Sequence, residues 1–426
     1  MRSIQPVANI DVGLAVPGSK SITQRALVAA ALAGGESLLL GALDSEDTNY
    51  LRSALRALGV HIDCSDPEAW RVQGCGGRLR APDAPIYLGN NGTATRLLTS
   101  VAALAGGPVR ITGDARMAER PIAPLMEALR GWGVAIASER GNGCPPLTIH
   151  GQGIQGGSTT LAAGKSSQYL SSLLLVAPYA QETAEIAVAG RLYSRPYVDM
   201  TLAVMQAFGV QTAPVPGQSR FVVPRGGYRA RRYQIEGDAS SASYFLAAAA
   251  ICGGRVRVVN LPSPSLQGDA GFVELLARMG CRVEQDRGGM QVTGVSCLHG
   301  IEADMGDMPD VAPTLAVVAA FAEGMTSITN IAHLRVKECD RLSAMTHELR
   351  RLGVAVEEGE DAMRIQGRGG LGLHGGRIQT YRDHRIAMSM ALAGLRIPGV
   401  AIEGEDCVAK SFPDFWERFR MLEGQG

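Results

Sequence analysis

Cations in this chain gather where apolar, helix-like segments begin. Val16-Pro17-Gly18-Ser19-Lys20-Ser21 leads into an apolar run over 22–33, and Arg25 lies one turn after Ser21 on the same face. Backbone N–H groups at a helix start carry partial positive charge, so this opening, with Lys20 and the hydroxyls of Ser19 and Ser21, favours an anion. The design returns at Leu88-Gly89-Asn90-Asn91-Gly92-Thr93-Ala94-Thr95-Arg96, before a run over 94–105, and at Gly164-Lys165-Ser166-Ser167-Gln168, before one over 169–177. Arg335-Val336-Lys337-Glu338-Cys339-Asp340-Arg341 is expected to open a helix that continues to Arg351, with Lys337 and Arg341 on one face and Glu338 in i,i+3 reach of Arg341. Asp383-His384-Arg385 precedes a run over 386–395, Ala409-Lys410-Ser411 precedes a last helix over 412–422, and Asp310 precedes a run over 311–321.

Singly, each opening reads as well as a serine cap beside a solvated Lys, or as a self-paired helix face. Repetition shifts the balance. Lys20, Arg25, Arg96, Arg120, Lys337, Arg341, Arg385 and Lys410 stand at such openings against Asp310 and Glu338, in a chain whose 41 Lys and Arg balance 41 Asp and Glu. A neutral protein that concentrates cations in this way suits one or two small substrates carrying several negative charges. It does not suit nucleic acid or an anionic membrane, which would draw on a general positive field. Gly13 and Gly18 are spaced as in a nucleotide-binding loop, but Ser19 intrudes before Lys20, and Gly164-Lys165-Ser166 has Thr159 where the first glycine should be. Gly151-Gln152-Gly153-Ile154-Gln155-Gly156 matches the dinucleotide fingerprint but runs into Gly157-Ser158-Thr159-Thr160, a poor helix start. With eight scattered cysteines in no C-x-x-C or metal-ligand spacing, and no Ser-His-Asp pattern, the chemistry falls to Lys, Arg, Asp, Glu and His. Acid/base transfer on anionic small molecules follows, with no cofactor and no metal expected.

The elements that hold these residues repeat. A large residue, Gly and a small apolar residue close helix-like segments at Leu58-Gly59-Val60, Trp132-Gly133-Val134, Phe208-Gly209-Val210, Met279-Gly280-Cys281 and Leu352-Gly353-Val354. Gly past a helix end takes the left-handed conformation of a cap, and the alternating residues after it begin a strand. Out of phase with these, Ala-rich helical runs stop at Gly34-Gly35, Gly106-Gly107, Gly253-Gly254 and Gly324, and aliphatic strands follow. About six βαβ-containing units fill the 426 residues, the last lacking its final strand, which the segment 4–16 could supply. The class is α/β. Length and 46% hydrophobic content allow two or three cores, and the absence of a signal pattern or long apolar run makes this a soluble, cytoplasmic protein by expectation.

From end to end the motifs resemble the 5-enolpyruvylshikimate-3-phosphate synthase family. Pro17-Gly18-Ser19-Lys20-Ser21, Gly89-Asn90-Asn91-Gly92-Thr93, Glu119-Arg120-Pro121-Ile122, Lys165-Ser166-Ser167-Gln168, Ser194-Arg195-Pro196-Tyr197, Glu236-Gly237-Asp238-Ala239-Ser240-Ser241-Ala242, Arg335 to Arg341, Asp383-His384-Arg385 and Lys410-Ser411-Phe412-Pro413-Asp414 carry it. The resemblance implies the enolpyruvyl transferase fold: two globular domains of three βαβαββ units each in an inside-out, barrel-like arrangement. One domain would take 1–18 plus 238–426 and the other 19–237, with the active site in the cleft between them. It implies that the enolpyruvyl group of phosphoenolpyruvate passes to the 5-hydroxyl of shikimate-3-phosphate through a tetrahedral intermediate, releasing phosphate, in a monomer.

By resemblance, Ser21, Arg25, Ser166, Ser167, Gln168, Ser194, Tyr197, His333 and Lys337 would hold shikimate-3-phosphate, with Asp310 beside it. Lys20, Asn90, Gly92, Arg120, Gln168, Arg341, Arg385 and Lys410 would hold phosphoenolpyruvate, beside Glu338, and Lys20, Asp310, Glu338 and His384 are the catalytic candidates. Three positions depart from the commonest pattern: His333 stands for Asn, Asn91 for a small residue and Leu97 for Pro, which bears on sensitivity to the inhibitor glyphosate. Two other readings use the same cations. The related transferase acting on UDP-N-acetylglucosamine carries Asn after its N-terminal Lys and a Cys-bearing loop before its Arg-Pro pair, where this chain has Ser21 and a Cys-free stretch over 114–119. A non-catalytic sensor of phosphorylated metabolites would not need Asp310 and Glu338.

Overall fold

The computed structural model of the chain describes residues 1–162, 164, 166–214 and 219–423. Its contacts divide into two units, Met1–Pro17 with Glu236–Gly426, and Gly18–Ile235. The breaks fall one and two residues before the expected 18/19 and 237/238.

One motif repeats through both units. In the unit Gly18–Ile235, strand Gly157–Ala162 runs parallel to Ala184–Ala189, with helix Ser167–Val176 between them; helix Arg195–Ala207 and the antiparallel pair Ala213–Pro214 and Arg220–Val223 follow. That is a βαβαββ unit. Ile86–Tyr87, Pro108–Thr112, Ala135–Ser138 and Leu147–His150 form the same sheet around helices Gly92–Val101 and Ala123–Gly131. The third sheet borrows its parallel edge, Arg232–Gln234, from the far end of the unit to flank Gly34–Leu40. The split unit borrows in turn. Ile10–Leu14 lies parallel to Gly254–Val258, whereas the short Arg2–Ser3 pairs antiparallel with Ala401–Glu403 and completes the last sheet. The segment 4–16, expected to complete the last unit, thus gives its strand Ile10–Leu14 to another sheet, and the two residues just before that segment complete the last one.

Helix ends explain the regular spacing. Gly59, Gly133, Gly209, Gly280 and Gly353 all have positive φ, from 81° to 111°. After each, as at Val60 to Leu55 (3.0 Å) and Val354 to Leu349 (3.1 Å), the next N–H returns to a carbonyl of the last helical turn, the paired bonds of a Schellman cap. Gly35 and Gly324 match each other: both have positive φ and lie in the strands Gly34–Leu40 and Ala322–Thr329, which follow helices already ended at Leu32 and Ala320.

In each unit three helices form the inside. Ala239–Cys252, Ala312–Ala320 and His384–Gly394 are buried at every residue and pack on one another; Lys20–Leu32, Gly92–Val101 and Ser167–Val176 also pack on one another and are buried except for residues of their first turns. A helix surrounded by protein must be apolar or small on all sides, which is why these segments are rich in Ala rather than amphipathic. Small hydroxyls link them: Ser100 to Ser172 at 2.6 Å, and Thr314 to both Ser243 (3.2 Å) and Ser389 (3.3 Å). Outer helices such as Glu46–Ala57 carry the amphipathic pattern. Among the described residues no helix is long and apolar enough to cross a membrane.

Candidate active site

In the unit Gly18–Ile235 the expected anion-binding residues stand at the first turns of the inner helices. Ser19 caps Lys20–Leu32 by accepting from the Ile22 N–H, which sets Lys20 on the first turn, 3.0 Å from the Asp47 carboxylate. Arg25 is buried. Its Nε donates to the Thr201 hydroxyl (2.7 Å), and its two Nη groups donate to the Ser21 carbonyl (3.0 Å) and the Ser171 hydroxyl (3.2 Å). The Tyr197 ring lies 5.9 Å from the guanidinium carbon. Burial, offset by Tyr197, lowers Arg25 to about 10, so it stays charged at neutral pH. Ser166 caps Ser167–Val176 by accepting from the Gln168 N–H (3.3 Å), and the Gln168 amide donates to Thr93 (3.0 Å), which ties this helix start to the Gly-rich turn. Ser167 and Ser194 are buried, the latter left-handed at the start of Arg195–Ala207. Lys165 lies outside the described residues.

The Gly-rich turn holds two guanidinium groups. Arg120 donates to the Asn90 carbonyl (3.0 Å) and side-chain oxygen (2.8 Å); Arg96 donates to the carbonyls of Gly92 (3.1 Å) and Pro121 (3.2 Å). A Cβ at Gly92 would overlap the Arg120 guanidinium, whose central carbon would be 2.7 Å away. Asn91, the departure from a small residue, is a buried cap. It accepts from the Ala94 N–H (2.9 Å) and donates to the Asp47 carbonyl (2.6 Å). Leu97 is buried in the core.

In the split unit the centre is Arg341, 1% exposed. Its Nε donates to one Asp383 oxygen (2.7 Å); one Nη donates to the other Asp383 oxygen (3.2 Å) and to Glu338 (2.8 Å), and the second Nη to Asp310 (3.2 Å). Burial works against the charge, yet Asp383, Glu338 and Asp310 together hold the guanidinium protonated. Asp310 is shared. Its Oδ2 accepts from Arg385 (2.7 Å), and Lys337 Nζ stands 3.9 Å from its Oδ1. His333 is held down to about 4 by burial and then by Lys337, against Asp310, so it is a neutral donor at physiological pH. Lys410 is buried at the end of Glu405–Lys410, a turn packed on helix His384–Gly394. His384 is fully buried, its Nδ1 3.7 Å from Asp383.

Local backbone features aim these groups. Asp340 caps Arg341–Arg351 by accepting from the Ser343 N–H (3.1 Å), so the helix begins at Arg341 rather than at Arg335. Lys337 and Glu338 therefore sit on the loop before it, and Glu338 meets Arg341 without sharing a helix. Tyr381 and Arg382, just before Asp383, are both left-handed, with φ of 53° and 56°. That conformation costs about 1–2 kcal/mol for each side-chain-bearing residue. Buried Glu348 holds the turn by accepting from the Tyr381 hydroxyl (2.8 Å) and the Gln379 N–H (3.1 Å). Among the described residues no three His, Cys, Asp or Glu side chains are grouped to hold a metal ion.

The family model of EPSP synthase (3-phosphoshikimate 1-carboxyvinyltransferase) matches residues 4–419. The chain belongs to the EPSP synthase family. It is 45% identical over 425 residues to the 3-phosphoshikimate 1-carboxyvinyltransferase of Edwardsiella ictaluri, covering 99% of this chain and 98% of that one. The enzyme of the same name from Trichormus variabilis is 43% identical over 98% of this chain and 97% of its own. Its fold is similar to the EPSP synthase of Acinetobacter baumannii, with a TM-score of 0.82 at 30% identity over 99% of this chain and 97% of that one.

Among EPSP synthase motifs, those in Gly18–Ile235 thus stand at helix starts, and in the split unit Asp310, Glu338 and Asp383 meet on Arg341, with Arg385 and Lys337 joined to them through Asp310. Sequence reasoning missed the groups that hold them. Asp47 faces Lys20, Thr201 and Ser171 hold Arg25, and Asp383 binds Arg341 through both oxygens. Asp383 was legible only as a helix-capping residue type before His384. Nothing local marks Asp47, which is 27 residues from its partner.

Proposed function

We propose that this protein transfers the enolpyruvyl group of phosphoenolpyruvate to the 5-hydroxyl of shikimate-3-phosphate and releases phosphate. Membership of the EPSP synthase family supports the reading, and the observation that carries it is Asp310, a partly exposed carboxylate bonded to Arg341 and Arg385 with Glu338 on the same guanidinium. Two anions need cations, and an addition followed by an elimination needs groups that can both take and give protons.

Ser21, Arg25, Ser166, Ser167, Gln168, Ser194, Tyr197, His333 and Lys337 take the phosphate and hydroxyls of shikimate-3-phosphate. Lys20, Asn90, Gly92, Arg120, Gln168, Arg341, Arg385 and Lys410 take the phosphate and carboxylate of phosphoenolpyruvate, since paired guanidinium donors match both groups. As substrate anions draw Arg341 and Arg385 toward themselves, Asp310 is released to accept the 5-hydroxyl proton. The hydroxyl oxygen bonds to C2 while C3 gains a proton from Lys20 or Glu338. Loss of a C3 proton to the same groups then expels phosphate from C2 and restores the double bond. The cations stabilise the charge that builds on the phosphate and carboxylate oxygens. His384 positions Asp383.

The test is phosphate release from both substrates together, with UDP-N-acetylglucosamine in place of shikimate-3-phosphate as the contrast. Release only with the sugar nucleotide, or with neither, would refute the reading. No metal or organic cofactor takes part in this scheme, so activity should survive dialysis against a chelator. Recovery of lost activity on adding a divalent ion would contradict that.

Gly92→Ala tests the turn. Because the new Cβ would displace Arg120, the KM for phosphoenolpyruvate should rise roughly 10- to 100-fold, the scale of one hydrogen bond to a charged group, along with the inhibition constant for glyphosate. A rise confined to the inhibition constant would place Arg120 away from phosphoenolpyruvate.

A further inference from the structure

Behind the Asp310–Arg385 pair lies a carboxyl group that the proposed chemistry leaves without a part. Asp269, in the short turn Gly268–Gly271, is 3% exposed, and its carboxyl accepts from the Ser240 hydroxyl on the first turn of helix Ala239–Cys252. The turn packs on that helix and on Pro309–Val311, the turn that carries Asp310. Charged groups face it from each of its neighbours: Asp310, Arg385 from the first turn of His384–Gly394, and Asp238, which caps Ala239–Cys252. Tyr244, buried on the same helix, faces Arg385 and Asp238 as well. A carboxylate so placed, with two like charges for neighbours, is costly to ionise. Burial, then Asp310, push Asp269 up to about 7, against Arg385 and Ser240.

We infer that Asp269 is a positioning residue for the reaction, an uncharged carboxyl that leaves Arg385 to Asp310 and to the incoming anion. Once ionised, it competes for the guanidinium and adds a negative charge next to the place where phosphoenolpyruvate would bind. The inference rests on the proposed roles of Asp310 and Arg385.

Two measurements on the same samples separate the possibilities. The first is the melting temperature of ligand-free protein from pH 5 to 9, for wild type and Asp269→Asn. A carboxyl raised from its unfolded value of about 3.9 contributes stability that is complete below that value and lost as pH rises through about 7. The wild type should therefore fall relative to Asp269→Asn across that interval, and parallel profiles overturn the inference whatever the activity. The second is the pH profile of kcat/KM for phosphoenolpyruvate. The wild type should decline above pH 7 by about tenfold per unit, as expected for a single ionisation. Asp269→Asn should lack that limb, and Ser240→Ala, which removes a donor that favours the charged form, should move it to higher pH. An unchanged limb in Asp269→Asn, or a loss equal at every pH, overturns the positioning role. A wild type that releases no phosphate at any pH overturns the proposed activity, and the inference with it, even if the melting profiles diverge.

Discussion

Glu338→Gln and Asp310→Asn should each lose about 10² to 10⁴ in turnover, the usual contribution of a general acid or base, while still binding shikimate-3-phosphate. Both replacements keep the shape and one oxygen of the carboxyl: at 338 that oxygen can stay on Arg341, and at 310 it can stay on Arg385, the amide NH2 then facing Arg341, which keeps Asp383 and the side chain at 338 as acceptors. What disappears is the ability to take a proton. Single-turnover rates and a binding titration with shikimate-3-phosphate separate the two effects. Near-native turnover across the pH range in either variant would leave that carboxylate with a positioning part only, and a loss confined to binding would do the same.

Arg341→Ala should be the most destabilising single change at the site, by about 3–5 kcal/mol at neutral pH, the cost of leaving buried charges without their partner. Asp383 is fully buried and Glu338 nearly so, and both carboxylates lean on this one guanidinium. The penalty depends on pH in a defined direction. In the wild type the Arg341 pKa is raised, so its stabilisation is constant at any pH well below the ordinary arginine value. In the variant the carboxylates stay buried without their counter-charge, which the protonated form tolerates and the ionised form does not, so the cost grows as pH rises. Denaturant unfolding at pH 5 and pH 8 should therefore show a wider gap between wild type and variant at pH 8. A gap independent of pH would mean that the lost stability comes from packing around the guanidinium and not from the stranded charges.

The repeat was legible along the chain because its signals are local. A helix that ends in a left-handed residue needs Gly at one place, and Gly59, Gly133, Gly209, Gly280 and Gly353 stand at that place in both units. Helices buried on every side need small apolar residues, which the Ala-rich runs before Gly35, Gly107 and Gly254 already display. Anion-binding openings were legible for the same reason, as Ser, Gly, Lys and Arg in the first turn of a helix. The start of helix Arg341–Arg351 was misread because Asp340 caps it from within a run of charges that also suits a helix face.

Pairings between distant residues were not legible. Lys20 with Asp47, Arg25 with Thr201, Arg341 with Asp383 and Asp269 with Ser240 depend on how the helices and turns of each unit pack, and no short-range pattern encodes that. The destinations of Arg2–Ser3 and Ile10–Leu14 depend on it too, since a short edge strand satisfies its backbone equally well on any open sheet and only the packed unit selects one. Sequence by itself determined the repeat, the α/β class and the residue types of the candidate site. Tertiary structure alone decided which charge faces which, because a buried ion pair is set by the few ångströms between side chains brought together from remote parts of the chain.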